Sequence, residues 1–369
     1  MKKNQPFWKN NNNSVEVYKL ASQKIWSLIK PDFKKAVKLD WNEGDNYMVK
    51  NVKNDLIDFI NRDCLNYYPN TYYNELYHKI ALFNNCKKDN ILLTAGSDAA
   101  ADLIIRTLIN PSSDKVLICG PVYDNFRVML SQKNISHEVV DFFIDGYKNI
   151  EKITQDFSIV YLVRPNNPTG QIIDKQLLLK IIKNYPDTLF IIDEAYIEFN
   201  LDQSLTSEIE NFENIIITRT FSKAFGLAGF RIGYLLSNNK NISMLMKFHN
   251  FKSVNSLALV SAISSLKKTN IIKLKDYVIK INKEKLLLVD YLNSLEYILE
   301  TFSSSGNFIF VKFSSKKHKI SFISILEKNL IYVRDYSHIA GYEKFCRISV
   351  NLNSKKNIKQ IIKAQKNML

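Results

Sequence analysis

Short apolar runs alternate with longer amphipathic stretches from about residue 90 onward. The runs are rich in Ile, Val and Leu, as buried strands are, whereas most of the stretches between them have helical periodicity. Because strands that alternate with helices form a mostly parallel sheet, this rhythm predicts an α/β domain. The continuous apolar character of the runs predicts that both faces of the sheet are covered. The predicted strands are residues 90–94, 115–119, 137–141, 158–163, 188–193, 214–219 and 233–237.

A different pattern follows residue 265, where lysine-rich helical stretches separate the apolar runs. Residues 271–297 have the spacing of one long amphipathic helix. We expect an α+β subdomain here, completed by the N-terminal segment, since a chain of 369 residues exceeds the usual size of a single core. The other elements predicted here are strands at 307–313, 331–334 and 345–350, a helix at 320–329 and a terminal helix. The predicted domains are a large one, residues 44–265, and a small one formed by residues 1–43 and 266–369.

Composition and charge are those of an ordinary globular chain. The sequence is 46% hydrophobic and 24% charged, and its net charge of +15 comes from scattered lysines without an accompanying aromatic recognition motif. We therefore expect no nucleic-acid binding, but a surface that favours small anionic ligands. The four cysteines form no CxxC pair, which is typical of a reducing compartment, and charged residues interrupt the most apolar window, residues 91–109. These features predict a cytoplasmic protein without a membrane span.

Polar residues follow directly after five of the predicted strands. In a parallel sheet the carboxyl ends of the strands meet at one edge, where such folds bind their ligands. Each residue alone has an ordinary explanation, since Ser97 and Asp98 can cap a helix and Lys223 can be one more solvated lysine. Their joint order and spacing indicate a single ligand-binding cleft. In chain order they are Gly96, Ser97, Asp98, Tyr123, Asn167, Asp193, Tyr196, Thr220, Ser222 and Lys223.

Three of these segments carry a family resemblance. NNPTG at 166–170, DEAYIEF at 193–199 and TFSKAFGLAGFRIGY at 220–234 occur in this order. They resemble the signatures of fold-type I pyridoxal-phosphate enzymes of the aspartate aminotransferase superfamily, in particular histidinol-phosphate aminotransferases and their cousin, threonine-phosphate decarboxylase. The resemblance runs from about Asp40, in LDWNE, to the segment CRISV near the end of the chain. It implies a large domain with a mostly parallel sheet and a smaller α+β domain.

The resemblance also implies roles for residues around pyridoxal 5'-phosphate. Lys223 would bond to the cofactor aldehyde and carry the proton of the substrate Cα, which requires a neutral amine at pH 7. Asp193 would pair with the pyridine nitrogen and keep it protonated. Asn167 and Tyr196 would hydrogen-bond the phenolic oxygen, and Tyr123 would stack on the ring.

The cofactor phosphate would lie at a helix N-terminus, where free backbone N–H groups bind anions. By resemblance, its ligands are Gly96, Ser97, Asp98, Thr220, Ser222 and Arg231. Tyr68, in YYPN, matches a tyrosine that reaches the phosphate from the neighbouring subunit in this family. The resemblance therefore implies a homodimer.

Two arginines near the C-terminus match substrate-binding positions of the family. Arg347, in CRISV, would clamp the α-carboxylate of the amino donor, and Arg334, in YVRD, would help bind a distal phosphate. They imply an aminotransferase that moves an amino group between L-glutamate and a small phosphorylated ketone or aldehyde, either histidinol-phosphate-like or smaller, such as a triose phosphate.

Two alternatives stay open at this point. The segment LDWNEGDNY departs from the usual family opening, and SVNSLA at 253–258 is as close to the decarboxylase as to the aminotransferase. Because the same cofactor can break either Cα bond, decarboxylation of phosphothreonine or phosphoserine is the alternative reaction. A regulatory protein with this fold is a third possibility, but it would carry a DNA-binding domain, for which the chain before residue 40 is too short, and an intact Lys223 favours an enzyme.

Overall fold

The computed structural model describes residues 16–17, 23–27, 36–71, 73–144 and 146–364. The described strands are β1 Val37–Leu39, β2 Ile91–Thr94, β3 Lys115–Gly120, β4 Ser136–Asp141, β5 Ile159–Val163, β6 Leu189–Asp193, β7 Ile215–Thr220, β8 Gly233–Leu236, β9 Ile298–Phe302, β10 Phe308–Phe313, β11 Ile331–Asp335 and β12 Phe345–Ser349. The helices are α1 Asn46–Ile60, α2 Asn74–Asn84, α3 Ser97–Leu108, α4 Asn125–Gln132, α5 Ile150–Thr154, α6 Lys175–Asn184, α7 Asn239–Met246, α8 Ser256–Ser265, α9 Lys268–Asn293, α10 Lys316–Lys328 and α11 Ser354–Ala364.

The larger sheet has seven strands in the order β2-β8-β7-β6-β5-β3-β4. Strand β8 runs antiparallel to both of its neighbours, and the remaining neighbours are parallel. Consecutive residues of β6 enter different apolar clusters, since Phe190 packs on one face of the sheet and Ile191 on the other. The sequence-based prediction of a mostly parallel α/β sheet is confirmed.

Strand β4 departs from the expectation that both faces are covered. Val139 and most other residues of this strand are exposed or half-buried. The strand lies at the edge of the sheet, and only β3 pairs with it among the described strands. Coverage of both faces therefore holds for the other six strands, including the opposite edge strand β2, but not for β4.

The smaller sheet has five strands in the order β1-β11-β12-β10-β9. The N-terminal strand β1 pairs in parallel with β11, as expected for an N-terminal segment that completes this subdomain. Strand β9 was not predicted, because its sequence ILETF is only partly buried and the predicted long helix extended to residue 297, whereas α9 ends at Asn293. The division of the chain into domains at 43/44 and 265/266 stays a prediction.

One core joins the two sheets. Phe190 of β6, Tyr277 of α9 and Ile348 of β12 belong to the same cluster of buried apolar side chains. The chain from Asp40 to Asp45 leaves β1 and passes between the two sheets, where Gly44 packs on the backbone of Lys223. No helix in the described ranges is long and apolar enough to cross a membrane.

Candidate active site

Three strand ends of the larger sheet meet in one cleft. Its walls include Ser97 and Asp98 at the start of α3, Tyr123 after β3 and Asp193 at the end of β6. These residues come from three separate motifs of the sequence, and parallel strands bring them together because their carboxyl ends share one edge of the sheet. The predicted convergence is thus present in the fold.

Asp193 is half-buried at the floor of this cleft. Its Oδ1 accepts a hydrogen bond from the backbone N–H of Ala195 at 3.0 Å, and its Oδ2 accepts one from the Tyr161 hydroxyl at 3.3 Å. Burial raises the pKa of Asp193 to about 6, although these donors oppose the rise. A carboxylate held in a site with little water is suited to pair with a cationic ring nitrogen.

Lys223 follows β7 and lies beside the cleft. Its Nζ donates to the carbonyl of Trp41 at 3.1 Å and lies 5.5 Å from the centre of the Tyr196 ring. Burial, together with the positive charge of Arg347, lowers the pKa of Lys223 to about 8. A fraction of the amine is therefore neutral near pH 7, as nucleophilic attack on an aldehyde requires.

An anion cradle lies between α3 and the loop after β7. Gly96 has φ +88°, and a Cβ added there would lie 2.7 Å from Nη2 of Arg231. Arg231 also donates to Oδ2 of Asp98 at 3.2 Å, so its guanidinium lies at the N-terminus of the helix. The Thr220 hydroxyl donates to Ser222 at 2.9 Å, and both side chains are buried nearby. Free N–H groups, a guanidinium and two hydroxyls are the donors that a phosphate group binds.

Arg347 is buried at the side of the cleft that the smaller sheet forms. Its Nη1 donates to Oδ1 of Asn167 and, at 3.3 Å, to the Tyr336 hydroxyl, whereas its Nε is buried without a partner. Arg334 is directly opposite Arg347 in the register of β11 and β12. Residues opposite each other in an antiparallel pair share one face of the sheet, so two cationic side chains stand side by side.

The segment Asp40–Gly44 contacts several parts of the site. The Asp40 carbonyl accepts from Arg347, the Trp41 carbonyl accepts from Lys223, and the Asn42 amide contacts Tyr196. Sequence reasoning assigned no role to these residues. The signal that could have found them was the likeness of LDWNE to the family opening, which places the segment in the fold but not in the site.

Two predicted residues have more exposed positions. Tyr123 is 37% exposed at the lip of the cleft. Tyr68 is 80% exposed and lies outside this cleft, in the connection between α1 and α2, where the Nζ of Lys252 is 4.6 Å from its ring. Tyr68 also lines a separate groove with Tyr67 and residues of α8. Among the described residues, no cluster of His, Cys, Asp or Glu could hold a metal ion.

The fold and this arrangement define an aminotransferase, and residues 34–364 match the model of the family "Aminotransferase class I and II". The chain belongs to this family, which confirms the predicted fold type and class of enzyme. It is 36% identical over 291 residues to a histidinol-phosphate aminotransferase of Buchnera aphidicola subsp. Cinara cedri, covering 78% of this chain and 81% of the relative. It is 36% identical over 350 residues to a dihydroxyacetone phosphate transaminase of Campylobacter jejuni, covering 90% of each.

Solved structures agree with this assignment. The histidinol-phosphate aminotransferase from Clostridium acetobutylicum superposes with a TM-score of 0.78 at 28% identity, and the match covers 90% of this chain and 100% of that one.

Proposed function

We propose that the protein is a pyridoxal-phosphate-dependent aminotransferase that moves an amino group between L-glutamate and a small phosphorylated ketone or aldehyde. Membership of the family supports the reaction class. The names of the two relatives from Buchnera and Campylobacter each contain a phosphorylated substrate, which supports the substrate class.

The observation that carries this proposal is the arginine pair on the smaller sheet. Arg334 and Arg347 are directly opposite each other on neighbouring strands, so their two positive charges favour anionic groups of a substrate on this face of the sheet. Arg347 lies beside Asn167 and keeps one buried donor without a partner, which suits a carboxylate of the substrate. Arg334 would bind a second anion, such as the phosphate of the acceptor.

The residues of the larger sheet fit the cofactor. When bound, pyridoxal phosphate supplies an electron sink for the carbanion formed at the substrate Cα. Asp193 would pair with its ring nitrogen, and Lys223 would take up and return the proton at Cα. Asn167 and Tyr196 would contact the phenolic oxygen, and Tyr123 would cover the ring. The phosphate would be held by Gly96, Ser97, Asp98, Thr220, Ser222 and Arg231.

We further propose that the active unit is a homodimer in which Tyr68 reaches the neighbouring active site. The exposure of this aromatic side chain and the groove beside it support a contact with a second copy. We also propose that the enzyme acts in the cytoplasm, since its four cysteines are unpaired, as is typical of proteins in a reducing compartment.

The test is to incubate the protein, loaded with pyridoxal phosphate, with L-glutamate and either dihydroxyacetone phosphate or the ketone that corresponds to histidinol phosphate. We expect 2-oxoglutarate to form with one of these ketones and not with its unphosphorylated counterpart. In Arg334→Gln, the ratio of kcat/KM for the phosphorylated ketone to kcat/KM for the unphosphorylated one should fall by about tenfold or more. This is the effect of losing one charge-assisted hydrogen bond. Release of carbon dioxide from phosphothreonine, without 2-oxoglutarate from glutamate, would contradict the proposal and favour the decarboxylase.

A further inference from the structure

Asn42 is a fully buried residue at the junction of the two sheets, with a left-handed φ of +54°. Its backbone N–H donates to the Ser349 hydroxyl at 3.0 Å, and its carbonyl accepts from Nδ2 of Asn307 at 3.3 Å. Its side chain contacts Ser349 on one side and Tyr196 on the other. Asn42 thus joins the N-terminal segment, the smaller sheet and the active-site tyrosine.

One orientation of the Asn42 amide gives the buried Ser349 proton an acceptor, whereas in the flipped orientation the described residues offer it none. A backbone N–H can only donate, so the Ser349 oxygen accepts from it, and the Ser349 proton is directed to Oδ1 of Asn42 at 2.6 Å. The amide oxygen of Asn42 therefore faces Ser349. The amide nitrogen must then face Tyr196, and it donates to the Tyr196 oxygen at 3.2 Å.

The direction of this bond decides where the Tyr196 proton goes. A phenol has one proton, and since the amide nitrogen of Asn42 cannot accept it, the hydroxyl of Tyr196 donates elsewhere. The ring of Tyr196 packs edge-on against Phe308 at 5.1 Å and lies beside the Nζ of Lys223. The Tyr196 proton is thereby left for another acceptor, and the phenolic oxygen of the proposed cofactor would be one.

We propose that Asn42 is a positioning residue that aims the Tyr196 proton at the phenolic oxygen of the cofactor. This inference rests on the function proposed above. The residue type matters for two reasons: asparagine tolerates the left-handed backbone, and its amide has a donor and an acceptor at opposite sides. Aspartate has nearly the same shape but only acceptors, so in Asn42→Asp the Tyr196 proton would turn back toward residue 42.

The experiment is a pH titration of the visible absorbance band of pyridoxal phosphate bound at Lys223. A hydrogen bond donated to the phenolic oxygen stabilises its anionic form and lowers the pH of the spectral transition. In Asn42→Asp we expect this pH to rise by about one unit or more, because the anionic phenolic oxygen loses one hydrogen bond.

A double-mutant cycle separates this effect from the added negative charge. The rise caused by Asn42→Asp should be clearly smaller in the Tyr196→Phe background, where no hydroxyl remains to be redirected. Asn307→Asp is the matched control, since it buries a carboxylate in the same network without touching Tyr196. Ser349→Ala, which adds no charge, removes the group that orients the Asn42 amide, and it should shift the transition in the same direction by less.

The inference would be overturned if Asn42→Asp raised the pH of the spectral transition equally with Tyr196 intact and in the Tyr196→Phe background. It would also be overturned if neither Asn42→Asp nor Ser349→Ala raised this pH. Both outcomes leave the proposed function intact. Absence of the visible band in the unaltered protein would instead overturn the proposed function, and this inference with it. Circular dichroism and melting midpoints of each variant confirm that the compared proteins are folded.

Discussion

Lys223 is expected to lower the stability of the cofactor-free protein at neutral pH, so replacing it with methionine should raise the free energy of unfolding. Burial lowers its pKa from 10.5 to about 8 in the folded protein. The unfolded chain therefore binds the proton more tightly than the folded chain does. Since each tenfold difference in proton affinity is about 1.4 kcal/mol, protonation of Lys223 favours unfolding by about 3 kcal/mol at pH 7.

Because the folded pKa of Lys223 is lowered, its destabilising effect is confined to a defined pH range. For a lysine whose folded pKa is lowered, the penalty is complete below about pH 8 and disappears as the pH rises toward 10.5. Methionine keeps the length of the side chain but loses the hydrogen bond to the Trp41 carbonyl, which offsets about 1 kcal/mol. We expect Lys223→Met to stabilise the protein by about 2 kcal/mol at pH 7 and by nearly nothing at pH 10.

Lys285 provides a matched control. It is also buried, and burial lowers its pKa to about 8. Its Nζ, however, donates to Oδ1 of Asn282 at 3.1 Å and to the carbonyls of Ser304 and Gly306 at 2.6 and 2.8 Å. Because Lys285→Met would lose three hydrogen bonds where Lys223→Met loses one, at about 1 kcal/mol or more each, it should be clearly less stable than Lys223→Met at pH 7.

The assay is urea unfolding of the cofactor-free proteins at pH 7 and pH 10, followed by circular dichroism and tryptophan fluorescence. Each variant is compared with the unaltered protein at the same pH, so that titration of other groups cancels. The reasoning is refuted if Lys223→Met is no more stable than the unaltered protein at pH 7. The reasoning is also refuted if Lys223→Met raises the free energy of unfolding by the same amount at both pH values.

Three further predictions follow from the site. Gly44→Ala should weaken the affinity for pyridoxal phosphate at least tenfold, because the new Cβ would lie 2.2 Å from the Lys223 carbonyl oxygen. Gly229→Ala is the control, since its Cβ would meet nothing within 4 Å and the affinity should not change. Equilibrium dialysis measures both affinities. Cofactor affinity should fall as the pH drops through about 6, where Asp193 takes up a proton, and Asp193→Asn should lose this part of the acid dependence; identical profiles would count against the pairing. Mixing inactive Tyr68→Ala and Lys223→Ala subunits should restore activity, since a mixed dimer would contain one complete site; no recovery after subunit exchange would contradict a Tyr68 contribution across the interface.

Much of the larger sheet could be predicted because its information is local. Strand β5 is a continuous apolar run and β7 begins with three isoleucines, and the polar residues that follow these runs lie within a few positions. Strand β9 could not be predicted in this way, since its half-exposed sequence has no strand pattern and its place depends on pairing with β10. The direction of β8 likewise depends on its partners β2 and β7 rather than on its own residues.

The candidate site likewise has some features that the local sequence determines and others that depend on the tertiary structure. The sequence by itself determined which residues stand at the strand ends, including Asp193 and Lys223, because a short motif encodes its own turn and side chains. Only the tertiary structure decided that Trp41 and Asn42 contact Lys223 and Tyr196, and that Arg334 stands opposite Arg347. The lowered pKa of Lys223 is also a tertiary property, since it arises from burial and from Arg347. Close contacts and electric fields join residues that are far apart in the chain, and no local pattern of residues encodes them.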